Sequence, residues 1–346
     1  MQMTYQQAGL ATTITYGEIL TSSIQPAMYQ DKAVIVITNQ RYYDHFFEKI
    51  QGVFAETTVD WYICRNQLYA NTLDEWMGLL DYLDRFSTQK EYLIIAIGNV
   101  GVVELTGFLQ KVSLLKSTFW VIPVSFQSYA QALVAARTIC RKPSLAILKQ
   151  LNLPENIFLD QTMLSPQKDG RLIDLQVFIR TAVVCDYPLL QRLFKEYPNQ
   201  KQLQVTNFTA LIEELTDYYQ EASEDIESYG RVFEEAFYLT TNGHFLSENM
   251  KRFLGFLMHF FWNAVEESWD FRCDNFLIWL QHLGFPIQFP TQISMAEYLE
   301  NVLTLVGEAG TLLTLRKVGE RGEAKVVTQQ RLIEAFENYQ KICEQL

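Results

Sequence analysis

The sequence predicts an α/β N-terminal domain, Rossmann-like with a parallel sheet, followed by an all-α C-terminal domain that carries a small terminal hairpin. Three observations predict it. In the first half, short β-branched apolar runs alternate with amphipathic stretches, which is the pattern of parallel strands joined by crossover helices. Beyond about residue 161 the strand signals nearly vanish and long segments carry helical periodicity. Near the end, two extended runs flank the turn-forming GERGE at 319–323. A chain of 346 residues is long for one compact unit, so two domains are expected.

The expected strands are 33–38 (AVIVIT), 58–64 (TVDWYIC), 92–97 (YLIIAI), 119–124 (FWVIPV) and 156–159 (NIFL). Between them, 42–54 and 72–86 place Leu, Trp, Phe and Tyr at helical spacing and read as helices covering the sheet. The second half holds helical segments at 172–197, 208–239, 248–269 and 273–283, then the hairpin at 311–327 and a last helix at 329–345. Pro166, Lys168, Asp169 and Gly170 loosen the chain near 159–169, giving domains of 1–162 and 163–346. The tryptophans and most other aromatics fall at core-like spacing. The acidic run 213–227 (EELTDYYQEASEDIE) reads as a solvated helix and loop, or equally as a partner surface.

Composition excludes several classes. A net charge of −12 leaves no clustered basic surface of the kind that neutralises phosphates, so nucleic acid is not an expected partner. Five widely spaced cysteines without a CxxC signal neither a disulfide framework nor a thiolate metal site, and reduced cytoplasmic thiols are the simpler reading. The N-terminus lacks the basic and apolar regions of a signal peptide. The most apolar helical stretch, 253–265, is too short to cross a bilayer and contains His and Asn, so no membrane role is expected. No GxSxG, Walker A or nucleophile triad is present.

Local motifs narrow the reading. Residues 96–108 read AIGNVGVVELTGF, 123–138 read PVSFQSYAQALVAART, 174–184 read DLQVFIRTAVV, 229–238 read YGRVFEEAFY and 248–255 read ENMKRFLG. In order and interval these resemble the 3-dehydroquinate synthase family, a branch of the sugar-phosphate cyclases. The family's corresponding segments read approximately AIGGGVVGDLAGF, PTTLLAQVDASVGGKT, GLAEVIKYALI, FGHTFGHAIE and HGEAVAIG, and its closing hairpin ends in VLLKKIG where this chain has LLTLRKVG. The resemblance covers most of the chain. It implies NAD, a divalent metal, usually zinc, a homodimer, and cyclisation of a seven-carbon sugar phosphate.

The substitutions fall on the groups that this chemistry needs. The family's triple glycine is Gly98, Asn99 and Val100 here, so two side chains stand where the pyrophosphate is implied to lie. Gly101 offers a shifted turn, and Glu104 keeps acidity near the family's aspartate. The implied metal ligands fall on Val177, Arg231 and Glu248, and valine has no donor atom while arginine is a fixed cation. A catalytic zinc takes three protein donors. Elsewhere, His244 and Glu248 form the one close His/Glu pair, which is too few ligands. The implied proton-transfer and substrate groups fall on Gln131, Arg137, Arg180 and Glu235, and arginine in place of lysine keeps charge but hardly deprotonates.

By the resemblance, Arg137, Arg180, Arg231, Glu235 and Glu248 surround one interdomain cleft. Either the arginines grip an anionic ligand, or arginines and glutamates pair with each other and plug a dead site. Pairing is the better supported, because the acidic replacements supply the partners that buried charge requires. The sequence therefore predicts a cytoplasmic homologue without catalytic residues or a metal, acting as a binding or regulatory protein and forming a homodimer by resemblance. No cofactor is expected, zinc is disfavoured, and NAD stays an alternative at Gly98, Asn99, Gly101 and Glu104. Two other functions stay open: a metal-independent enzyme or binder of a phosphate or carboxylate, with a protein partner as the rival occupant, and a working 3-dehydroquinate synthase.

Overall fold

The computed structural model describes residues 1–142, 145–164, 170–204, 208–308 and 310–346. The chain forms two compact units. The first holds Met1–Gly170 with Leu211–Gln220, and the second holds Arg171–Ala210 with Glu221–Leu346. Of the residues expected to loosen the domain boundary, Pro166, Lys168 and Asp169 lie outside the described residues.

In the first unit the elements run β1 (Gln2–Gln7), β2 (Leu10–Tyr16), α1 (Leu20–Ser23), β3 (Ala33–Asn39), α2 (Gln40–Val53), β4 (Val59–Cys64), α3 (Leu73–Leu83), β5 (Glu91–Ile97), α4 (Val100–Val112), β6 (Lys116–Val121), α5 (Phe126–Leu133), β7 (Ala136–Lys142), β8 (Leu145–Leu151) and β9 (Asn156–Leu159). Seven strands form one sheet in the order β1-β2-β9-β6-β5-β3-β4, with every pairing parallel except β1 to β2. Parallel strands buried on both faces read as continuous apolar runs, which is why AVIVIT and YLIIAI stand out in the sequence. Val34, Val36, Leu93, Ile95 and Trp120 pack with Phe46 and Ile50 of α2 in one core. The expected strand 119–124 is displaced to Lys116–Val121, because Ile122 and Val124 continue the apolar run while packing into the core from the following loop.

Two hairpins lacked a sequence signal. β1 and β2 carry many polar side chains and turn at Ala8 and Gly9, both at positive φ (50° and 74°), as a two-residue hairpin loop requires. They add an antiparallel edge to the sheet expected to be parallel. β7 and β8 form a separate two-stranded ribbon.

In the second unit the elements are α6 (Gly170–Cys185), α7 (Tyr187–Glu196), α8 (Gln200–Gln204), α9 (Ile212–Ser228), α10 (Arg231–Leu239), α11 (Glu248–Glu266), α12 (Cys273–Leu283), α13 (Met295–Val306), β10 (Thr311–Lys317), β11 (Glu320–Val326) and α14 (Gln329–Cys343). The expected helix 172–197 breaks at the extended Asp186, where Pro188 opens α7. The expected helix 208–239 breaks at Gly230, whose φ of 90° favours glycine. A Cβ on Gly230 would fall 2.7 Å from the Phe256 Cα, and one on Gly255 would fall 2.5 Å from the Glu234 nitrogen, so the two glycines let α10 and α11 pack backbone to backbone. Helix α9 starts in the first unit and leaves helical geometry at Ala222 (φ −145°, ψ 24°), just past Gln220. Helix α13 was not expected from the sequence; Ser294 caps it by accepting from the Glu297 nitrogen. Among the described residues, no helix is long and apolar enough to cross a membrane.

Candidate functional site

The β5–α4 turn of the first unit carries the residues aligned with a nucleotide loop. Asn99 is the N-cap of α4: its side-chain oxygen accepts from Val102 N at 3.3 Å, while its amide donates to the Gln67 carbonyl. Gly101 N donates to the Leu68 carbonyl at 2.8 Å. Residues 67–70 thus lie across the helix N-terminus, so closely that a Cβ on Gly101 would sit 2.1 Å from Ala70 N. Gly98 is confined as well, since a Cβ there would fall 2.8 Å from Val102 Cβ and 2.9 Å from Asn39 Oδ1. Free N–H groups at a helix N-terminus are what bind phosphate. Here two of them, those of Gly101 and Val102, are given to Leu68 and Asn99. The shifted turn expected at Gly101 does not occur: Gly101 lies inside the first turn of α4, where its lack of a side chain admits the 67–70 backbone.

Glu104, one helical turn further on, is buried. It accepts from Gln131 Nε2 at 2.5 Å, from Thr138 Oγ1 at 3.1 Å and from Thr138 N. Arg137 is fully buried beside it and donates to the carbonyls of Gln131 (2.8 Å) and Ala132 (3.1 Å) at the C-terminal end of α5. A cation at a helix C-terminus is favoured by the helix dipole. Burial pulls the Arg137 guanidinium down to about 10 against the raising field of Glu104, so it stays charged at neutral pH. Gly107 makes room for this side chain, since a Cβ there would fall 2.7 Å from Arg137 Cδ. Arg137 was expected beside a cleft, either paired with a glutamate or gripping an anion; it is a core residue of the first unit, with two of its donors on helix-end carbonyls.

In the second unit, Val177 is buried on α6 and offers no donor atom. Arg180, one turn along the same helix, is ion-paired to Glu227, and Arg252 of α11 reaches the other oxygen of that carboxylate at 2.8 Å. Arg231 pairs with Glu235 at 2.9 Å across one turn of α10. Burial raises the Glu235 carboxyl even though Arg231 works to lower it. Glu248 is the first residue of α11, after the Ser247 cap, where a negative charge suits the helix dipole. His244 uses Nδ1 on the Thr241 carbonyl at 3.0 Å. Among the described residues no three His, Cys, Asp or Glu side chains converge on a metal-sized point. Val177, Arg231 and Glu248 do not fit a three-ligand metal site.

Two residues of the buried ion cluster were missed in the sequence. Glu227 closes the acidic run read as solvated, and Arg252 stands among apolar neighbours in α11. That run is only half solvated, for Leu215, Tyr219 and Ile226 are buried. The apolar period within 213–227 was the available signal.

No protein-family model matches the chain. It is similar to the 3-dehydroquinate synthase of Listeria welshimeri, 20% identical over 327 residues that cover 89% of this chain and 87% of that protein. Among solved structures, the 2-epi-5-epi-valiolone synthase of Streptomyces hygroscopicus, with NAD+ and Zn2+ bound, superposes with a TM-score of 0.80 at 12% identity, covering 97% of this chain and 98% of that one. A 2-deoxy-scyllo-inosose synthase complexed with carbaglucose-6-phosphate, NAD+ and Co2+ gives 0.77 at 14% identity, covering 98% and 100%. The chain has the dehydroquinate synthase-like fold of the sugar-phosphate cyclases. The same two structures correct one expectation from the sequence, that of a protein without NAD and without zinc. Structures of this fold hold NAD+ together with Zn2+ or Co2+, and a cofactor-free protein is not supported.

Proposed function

We propose that this chain is a sugar-phosphate cyclase-fold protein that does not close a carbocycle and serves as a binding or regulatory homologue. One observation carries the reading. Where the family resemblance implies metal ligands, the second unit has a buried valine, an arginine ion-paired to Glu235, and a glutamate at a helix start. Among the described residues no three donors converge, and a catalytic divalent metal that polarises a sugar carbonyl or alkoxide takes three from the protein. The rival anion pocket built from Arg137, Arg180 and Arg231 gains no support, since each guanidinium is engaged by its own unit.

The test is phosphate release from a seven-carbon sugar phosphate, with NAD+ and either Zn2+ or Co2+ supplied in excess. The expected result is no release above the protein-free rate. Metal-stimulated release with turnover would overturn the proposal. Binding of NAD+ alone is compatible with it, because a dinucleotide without a metal-polarised substrate does not close a ring.

A further inference from the structure

The β7–β8 ribbon has an edge left unpaired among the described residues. β8 pairs only with β7 there, and Leu145–Leu151 make no backbone hydrogen bond outside that ribbon. About half of the N–H and C=O groups of such an edge strand point away from its partner, ready to pair with another backbone. Beside the exposed Lys149 and Gln150, the strand also shows apolar side chains to solvent: Ile147, Leu148 and Leu151 are each more than two-fifths exposed. Its foot is fixed, because the Asn152 amide donates to the Gly107 carbonyl and to Gln110 Oε1 of α4, both at 2.8 Å. Past the end of α4, Leu114 is exposed too.

Charge selects the occupant. The chain carries a net −12, yet between Glu104 and Glu155 it contains no Asp or Glu. Lys111, Lys116, Arg141, Lys142 and Lys149 of this stretch are exposed, and three of them lie on the ribbon itself. A lone edge lysine guards a strand against self-pairing. Several basic residues without an acid oppose a second copy, whose ribbon would bring the same charges, and attract an acidic strand. Free backbone donors and acceptors in a row, with apolar side chains beside them, match a polypeptide rather than a nucleic acid or a lipid surface.

We propose that the free edge of β8 docks an extended, acidic segment of a partner polypeptide, which adds to the β7–β8 ribbon as a third strand. This deepens the non-catalytic reading by naming the partner's chemistry. It can fail without touching the phosphate-release result, because no residue of the implied metal or proton-transfer set takes part in the docking edge.

The test uses the full chain and a labelled peptide of alternating Glu and Val, blocked at both ends, read by fluorescence anisotropy. Saturable binding is expected. It should weaken about 10-fold when Lys142→Glu and Lys149→Glu are combined, a change at exposed sites that leaves the circular dichroism spectrum unchanged. A peptide with alternate amides N-methylated should bind at least about 10-fold more weakly, because one row of donors is removed. Four results overturn the proposal: no peptide binding, equal binding of the N-methylated peptide, equal binding of a neutral Thr/Val peptide, or a sedimenting dimer that the double substitution dissociates. The last would assign the edge to a second copy.

Discussion

Each unit of this protein buries arginine, and each surrounds it with different acceptors. In the first unit Arg137 gives its donors to the backbone carbonyls of Gln131 and Ala132, while Glu104 is held by Gln131 and Thr138. In the second, Arg180 and Arg252 close on one carboxylate, Glu227. The first arrangement spreads a charge over fixed backbone dipoles, and the second sets two guanidinium groups on one shared carboxylate. A carboxylate shared by two buried cations is the more sensitive point, since removing its charge leaves both arginines with less compensation.

The largest expected effect follows. Glu227→Gln keeps the shape but removes the charge between two buried arginines, and should lower stability by about 3 kcal/mol or more in urea unfolding. An effect below about 1 kcal/mol would mean that the remaining partners carry the arginines.

Acid should divide the two units next. His259 is buried in the second unit, accepting from Gly230 N at 2.8 Å through Nδ1 and donating from Nε2 to the Leu313 carbonyl at 2.9 Å. Burial lowers its pKa to about 4, with the Leu313 bond opposing. The folded value lies below the usual unfolded value of about 6.5. Folding therefore binds fewer protons, and the contribution of the neutral ring is fully present above about pH 6.5 and is lost as pH falls toward 4. Its size is on the order of 3 kcal/mol. Unfolding followed by tryptophans of the second unit should show this loss, and His259→Gln should flatten it. An unchanged pH profile in that variant would assign the acid sensitivity to other groups.

The smallest of the three concerns the first unit. Gly101→Ala forces a methyl against Ala70 N and should cost about 1 to 3 kcal/mol, while loosening the 67–70 segment from the end of α4. Faster exchange of the amide at position 101 in the variant would report the loosening. If NAD+ binding strengthened in the same variant, the Leu68 bond would be shown to compete with the dinucleotide for that donor.

Much of this was legible in the sequence. The apolar runs of β3 and β5 and the order of the motifs carry the fold, because burial on both sheet faces imposes a pattern that few other arrangements share. The edges were less legible: β1, β2, β7 and β8 mix polar, basic and apolar residues, and their pairing is set by turns and neighbours rather than by periodicity. Local breaks also escaped the periodicity, although Pro188 and Gly230 mark them. At the candidate site the residue types were readable, and the contacts they make were much less so.

By itself, the sequence determined the cyclase-like scaffold and put a side chain without a donor atom at Val177, since both depend on residue type and spacing along the chain. Tertiary structure alone decided where the charges end. Glu227 lies 47 positions from Arg180, and Leu68 meets Gly101 through a loop from another strand. Nothing local selects such partners. Burial does, by making an unsatisfied charge or N–H too costly to leave alone, and it acts only once the chain has folded.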